Sequence, residues 1–170
     1  MVNRMFSVVV VGVLMIGTAQ SCFARLGETE AELEARYGKP ERVTNKPADA
    51  APADKEIVYF KDGMVVFVRV FRGRSVCEIY CFSDGKGKSV PVETDIKKAE
   101  ALLQANAGGA VWEANAPGVH GMQLLWKRSD GQALAAVWET SPNSLQVMDA
   151  AYVAESANSD KQKEAGVSGF

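Results

Sequence analysis

Two cysteines four positions apart, Cys77 and Cys81, come nearest in this sequence to a chemically active pattern. They could supply half of a metal site, but a structural zinc site takes four ligands and the chain has one histidine, His120. On a strand the two Cα atoms would be ~13 Å apart, beyond the ~7 Å that a disulfide spans. We therefore expect unbridged thiols on one sheet face, and neither a metal nor a cofactor.

Other catalytic patterns are missing from the sequence. There is no Gly-x-Ser-x-Gly motif, phosphate-binding loop or zinc-binding helix. His120 is expected in a loop without an adjacent nucleophile, and the glutamates at 28, 30, 32 and 34 are expected along the solvated edge of a helix. We predict that the protein is not an enzyme. The alternative is a small extracytoplasmic thiol-dependent enzyme or redox protein that uses Cys77 or Cys81.

The first 24 residues have the pattern of an export signal. Arg4 is followed by an apolar run from Met5 to Gly17, which is too short to cross a ~30 Å membrane core but long enough for a signal peptide. We expect cleavage after Ala24 and a periplasmic or secreted protein. Lipidation at Cys22 is the alternative, and it would anchor the protein to a membrane surface. No second apolar run predicts a membrane span.

The net charge of the chain indicates which class of partner it can bind. The chain has a net charge of −2, and without residues 1–24, which hold Arg4 and no acidic residue, the charge is −3. Because there is no basic excess to neutralise phosphates, nucleic acid is not expected as a partner. A protein or an envelope component is the expected partner, and the sequence does not indicate an oligomeric state.

The chain after residue 24 shows one pattern of elements twice. Residues 26–40 and 95–107 have helical spacing, and each segment is followed by three runs with the period of two that is typical of strands. The Asp-Gly pairs at 62–63 and 130–131 are 68 positions apart, and Phe60 and Trp126 are 66 apart. We therefore predict an α+β fold of two tandem αβββ repeats that form an antiparallel sheet with helices on one face. The alternative is a chance alignment of two unrelated αβββ stretches.

The predicted boundaries follow from this pattern. The first unit is 25–90, the second unit is 91–156, and the polar segment 157–170 is expected to be a disordered tail.

Two family resemblances accompany this pattern. The segment Ala-Glu-Leu-Glu-Ala-Arg-Tyr-Gly-Lys-Pro at 31–40, followed by a meander, resembles the small outer-membrane-assembly lipoproteins (SmpA/OmlA), and the doubled order resembles the β-lactamase inhibitory protein fold. The resemblance implies a binding or assembly role. The inhibitor family's disulfide pattern is not matched by Cys77 and Cys81. The segments Leu102–Trp112 and Trp126–Gly131 are also similar to exported bacterial proteins that have no assigned activity.

Strand parity predicts which sheet face is free. Met64, Val66, Val68 and Val70, with Cys77, Ile79 and Cys81, are expected to face the helices. The opposite face would combine aromatic rings with charged groups, as contact patches do. The predicted binding residues are Phe67, Arg69, Phe71, Glu78, Tyr80 and Phe82. Alternatively, these rings pack beneath the 44–55 loop or the tail.

Overall fold

The structure, a computed structural model, describes residues 25–47, 52–83, 90, 96–115, 122–138 and 144–167. The predicted leader with Cys22, and His120, lie outside these residues. Among the helices in the described ranges, none is long and apolar enough to cross a membrane.

In the residues that the structure describes, each half of the chain contains a helix and then four strands. The first half has α1 (Glu30–Tyr37), β1 (Arg42–Asn45), β2 (Lys55–Lys61), β3 (Met64–Phe71) and β4 (Arg74–Phe82). The second half has α2 (Ile96–Ala105), β5 (Trp112–Asn115), β6 (Met122–Arg128), β7 (Ala133–Trp138) and β8 (Ser144–Asp149), and α3 (Ala150–Val167) follows.

The eight strands form one antiparallel sheet in the order β1-β2-β3-β4-β8-β7-β6-β5. The two halves meet at its centre, where β4 pairs with β8 and Tyr80 lies opposite Leu145. The four-residue strands β1 and β5 form the two edges. The α+β class and the antiparallel sheet are confirmed.

Helix α1 begins and ends where local chemistry dictates. Thr29 and Glu32 form a capping box, in which each side chain accepts a hydrogen bond from the other's backbone N–H. Gly38 ends the helix with a φ of +87°, a region that glycine enters without the Cβ clash of other residues. Leu33 and Tyr37, one turn apart, are buried. The helix is shorter than the predicted 26–40.

The residues before α1 lie against the start of β4. Gly27 N–H donates to the Ser75 carbonyl at 2.8 Å, and Ser75 N–H donates to the Glu28 carbonyl at the same distance. Leu26 N–H reaches the Asn106 side-chain oxygen at 3.1 Å. The segment 25–28 therefore joins the end of α2 to the first half of the sheet.

Two-residue turns connect β2 to β3 and β3 to β4. The central residues all have positive φ, at 50° and 76° for Asp62 and Gly63 and at 52° and 75° for Arg72 and Gly73. Such turns match the right-handed twist of antiparallel strands. The Asp-Gly pair was a reliable sequence signal for the first of these hairpins.

The main core lies between α1, α2 and one face of the sheet, which we call the inner face. Strand β3 alternates between buried and half-buried positions, as expected for a strand with unequal faces. The core includes Leu33 and Tyr37 of α1, Leu102 and Leu103 of α2, Val66 and Val68 of β3, Tyr80 and Phe82 of β4, and Leu145 and Val147 of β8.

The predicted faces are right for β3 and wrong for β4. A two-residue turn alone would pair Val68 with Cys77, but the register shifts between Arg69 and Val70, and Val68 lies opposite Glu78. A one-residue shift moves every later side chain to the other face. Glu78, Tyr80 and Phe82 are therefore on the inner face, and Cys77, Ile79 and Cys81 are on the other, which we call the outer face.

Three further expectations are corrected. Each half has four strands in the described residues, because β1 and β5 precede the predicted meanders. Helix α3 packs on the outer face, so the helices are not all on one face. It also continues to Val167, through most of the predicted disordered tail 157–170.

The predicted repeat remains a prediction. The order of one helix and four strands occurs in both halves, but Trp126 packs against the inner core whereas Phe60 is on the outer face. That pair of residues is therefore not equivalent.

Candidate interaction surface

The outer face carries a cluster of apolar side chains near the β2–β3 hairpin. Cross-strand pairing places Phe60 beside Val65, and Val58 beside Phe67, which in turn lies beside Ile79. Phe60 is 57% exposed and the other four are half-buried. We call these five residues the outer patch. A contiguous apolar patch on a protein surface is a candidate interaction site.

Arginines border the outer patch on one side. Arg42 lies opposite Val58 on the edge strand β1, with its side chain 61% exposed. The carboxylate of Glu56 lies 3.6 Å from the Arg42 guanidinium and 3.7 Å from that of Arg69. The Glu56 carboxylate thus lies near two guanidinium groups, and Arg42, Glu56 and Arg69 together have a charge of +1 next to the apolar cluster.

Helix α3 covers the neighbouring part of the outer face. Tyr152 is buried against Cys77 and Ala53, and Val76, Ile79 and Met148 pack around this second cluster. Asp149 accepts a hydrogen bond from Tyr152 N–H at 3.0 Å and so caps the helix. Because α3 packs on the row that contains Cys77, it sets one boundary of the outer patch.

The six predicted binding residues separate into two groups. Phe67, Arg69 and Phe71 lie on the outer face, as predicted. Arg69 also hydrogen-bonds Tyr152 of α3, and the Arg72 guanidinium lies 4.6 Å from the centre of the Phe71 ring. Of the three predicted binding residues on β3, Phe67 is therefore the one that belongs to the outer patch.

Glu78, Tyr80 and Phe82 do not belong to that surface. Glu78 and Tyr80 are fully buried and Phe82 is 2% exposed, all on the inner face. The structure therefore corrects their placement from the outer face to the core.

Sequence reasoning did not name Val58, Phe60, Val65 or Ile79 among the predicted binding residues. The signal for Phe60 was present, because Ile57 and Tyr59 face the core and a strand alternates. For Ile79 the signal was hidden by the register shift in β3 and β4.

Buried Glu78 forms a cluster with two tyrosines. Its Oε2 atom accepts hydrogen bonds from Tyr37, at 3.0 Å, and from Tyr80, and the two hydroxyl oxygens are 3.3 Å apart. Its Oε1 atom has no hydrogen-bond partner among the described residues. Burial raises the pKa of Glu78, which the tyrosine hydrogen bonds and Arg36 partly oppose. Burial likewise raises the pKa of both Tyr37 and Tyr80.

The two cysteines are free, as predicted. Burial raises the pKa of the Cys77 thiol to about 12 despite the nearby Arg69, and that of Cys81 to about 11. A reactive cysteine needs a lowered pKa and access to solvent. Both thiols therefore have the properties of small apolar core residues.

The acidic residues near α1 have partners of their own. Glu28 pairs with Arg36, Glu30 lies 2.6 Å from the Lys55 ammonium, and Glu32 caps the helix. The hydrogen bonds from Thr29 lower the pKa of Glu32. Within the described ranges, no group of three or more His, Cys, Asp or Glu residues is placed to hold a metal ion.

An open cavity of about 430 Å³ lies away from the outer patch, at the end of α2. Its lining includes Arg25, Asn106, Gly108 and Arg128. Arg128 donates to the Asn106 carbonyl at 2.8 Å and pairs with Asp130, and the Asn106 side chain binds Leu26 N–H. The hydrogen-bonding groups of Asn106, together with Nε and Nη1 of Arg128, are thus used to hold the fold together.

Comparison with known proteins gives limited similarity. No protein-family model and no curated protein matches the chain. A crystal structure of a cysteine-rich secretory protein from Staphylococcus aureus shares 16% identity at a TM-score of 0.40, over 73% of this chain and 44% of that one. An extracellular protein containing an SCP domain from Bacillus anthracis shares 16% identity at a TM-score of 0.37, over 88% and 50%. This chain spans half the length of those chains or less, and similarity at this level carries no argument about its function.

Proposed function

We propose that this protein is an exported, non-enzymatic binding protein of the bacterial envelope that binds a protein partner through the outer patch. The observation that carries the proposal is the 57% exposure of the Phe60 ring within a cluster of four more apolar side chains. Burying an exposed phenylalanine side chain contributes about 1.5–3 kcal/mol, so a partner that covers this cluster gains substantial free energy.

The chemistry of the partner follows from the border of the outer patch. Arg42, Glu56 and Arg69 together have an excess of one positive charge, and Arg42 is largely exposed. A carboxylate on the partner would complement Arg42, because opposite charges across an interface favour association and fix its register. The partner is therefore expected to present an apolar segment next to an Asp or Glu.

The properties of the cysteines favour binding over the thiol-dependent alternative. Cys77 is 1% exposed and Cys81 is 7% exposed, and burial raises the pKa of both thiols. A thiolate nucleophile would need the opposite shift.

Export and duplication are parts of the same proposal. The pattern of residues 1–24 supports delivery to the periplasm or the exterior, with lipidation at Cys22 as the membrane-anchored variant. Strands β4 and β8 are each the last strand of their half, and they pair at the centre of the sheet. This arrangement supports an origin by duplication. The resemblance to envelope-assembly lipoproteins supports an assembly role in that compartment.

The test places a photoreactive cross-linking residue at position 60 in the cells that export the protein. We expect an adduct with a second protein, which is lost on Phe67→Ser and weakened by Arg42→Glu. The control places the same cross-linker at Val111, which is 65% exposed and lies at the other end of the sheet. Equal adducts from both positions, an adduct with a second copy of this chain, or an adduct with lipid alone would each overturn the proposal.

A further inference from the structure

The inner face holds an ionisable group, the Glu78 carboxyl, on the opposite side of the sheet from the outer patch. Glu78 is fully buried between the neighbouring strands, opposite Val68 of β3 and Val147 of β8. The tyrosine that reaches it from outside the sheet is Tyr37, the last residue of α1. The carboxyl group therefore links the central strand of the sheet to a helix.

Few charged and titratable groups lie around Glu78. From α1 come Tyr37 and Arg36, whose guanidinium binds Glu28 through Nε and Nη2 and has a buried Nη1 without a hydrogen-bond partner among the described residues. The charge of Arg36 opposes the rise that burial causes in the pKa of Glu78 only in part. From the sheet come Tyr80 of β4 and Tyr59 of β2. The residues paired with Glu78 on β3 and β8 are valines. Cys77, also close, lies on the opposite face.

The two oxygen atoms of the Glu78 carboxyl group differ in their hydrogen bonding. Oε2 accepts from both tyrosine hydroxyls, whereas Oε1 has no hydrogen-bond partner among the described residues. An ionised carboxylate in this position would keep one buried oxygen without a donor, which is far more costly than for a neutral carboxyl. Water can reach that charge if α1, which carries buried Leu33 and Tyr37, moves away from the sheet.

We propose that Tyr37, Glu78 and Tyr80 form a proton-dependent latch, which holds α1 on the sheet while Glu78 is neutral and loosens it when Glu78 ionises. The direction of the effect follows from linkage. A carboxyl whose pKa is higher in the folded state than its ordinary 4.5 binds its proton more tightly when folded. Its contribution to stability is therefore complete below that ordinary pKa and is lost as the pH rises through the folded pKa.

The test measures amide hydrogen-exchange protection factors in α1 between pH 5 and pH 8. In the native protein we expect the factors to fall with rising pH, by at most about tenfold per pH unit for a single proton. Glu78→Gln keeps a carbonyl acceptor for the tyrosines but cannot ionise, so its factors should be flat. Glu34→Gln, on the exposed side of α1, is the matched control and should behave as the native protein does.

Either of two outcomes overturns the latch: protection that is constant with pH in the native protein, or the same fall in Glu78→Gln. If Glu78→Gln does not fold, infrared spectra of the native protein decide the question. A neutral buried carboxyl should give a protonated C=O stretch that persists above pH 4.5 and disappears as the pH rises further. A band that is already lost at or below pH 4.5 contradicts the proposal.

Discussion

Val66 and Tyr80 lie opposite each other on β3 and β4, with both side chains on the inner face and no measurable exposure. Phe67, the next residue on β3, lies on the outer face opposite Ile79 and is half-buried. Neighbouring positions on one hairpin thus belong to the core and to the proposed binding surface.

This difference predicts unequal costs for two aromatic-to-serine substitutions. Tyr80→Ser should lower the free energy of unfolding by about 3–5 kcal/mol, because it opens a cavity in the core and removes a hydrogen bond to Glu78. Phe67→Ser should cost about 1–2 kcal/mol, since the ring is already partly in water. Urea denaturation of both variants measures the difference. Equal losses would show that Phe67 is a core residue and would remove it from the outer patch.

The second prediction concerns Ser75, at the start of β4, and its contribution to stability. Its hydroxyl oxygen accepts a hydrogen bond from Glu28 N–H at 3.0 Å, its O–H group donates to the Arg25 carbonyl at 3.3 Å, and the residue is 1% exposed. Ser75→Ala leaves partly buried backbone groups unpaired, and we expect a loss of about 1–3 kcal/mol. Thermal denaturation measures it. A variant as stable as the native chain would show that water satisfies the segment 25–28.

The capping box of α1 gives a third prediction. Thr29→Ala should destabilise the protein by about 0.5–2 kcal/mol, because the N–H of Glu32 loses its acceptor. The low pKa of Glu32 means that its part of the box is present above the ordinary value of 4.5 and is lost as the pH falls through the lower, folded value. Denaturant titrations at several pH values check both effects. In Glu32→Gln that acid-dependent loss should be absent, and its persistence would assign it to another carboxylate.

The parts of the fold that were predictable depend on short-range signals. The Asp62-Gly63 turn, the alternation along β3 and the glycine that ends α1 each follow from a few adjacent residues. The helix-and-meander order and the antiparallel sheet could therefore be predicted from the sequence.

The rest depended on longer-range packing. No distinctive residue in the sequence indicates the register shift between Arg69 and Val70. Because of this shift, the side chains of β4 lie on the sheet faces opposite to those predicted. The centre of the sheet has helices on both faces, so β4 is buried on both sides and lacks a clean alternation. The burial of Glu78 depends on hydroxyl groups 2 and 41 positions away, which no local pattern reveals.

The last prediction concerns the two thiols. Because burial raises the pKa of Cys77 to about 12 and of Cys81 to about 11, almost no thiolate is present at pH 8 in the folded protein. We expect both to react with iodoacetamide at least about a hundredfold more slowly than an unfolded cysteine of pKa ~8.5. Peptide mapping by mass spectrometry assigns the label to each position.

Two controls make the thiol experiment decisive. In strong urea both cysteines should react quickly, and Glu34→Cys should introduce a rapidly labelled thiol on the exposed side of α1 without urea. Fast labelling of Cys77 or Cys81 in the folded chain, at a rate close to that of the introduced thiol, would mean that a low-pKa sulfur is accessible. The thiol-dependent enzyme would then replace the binding protein as the better account of this molecule.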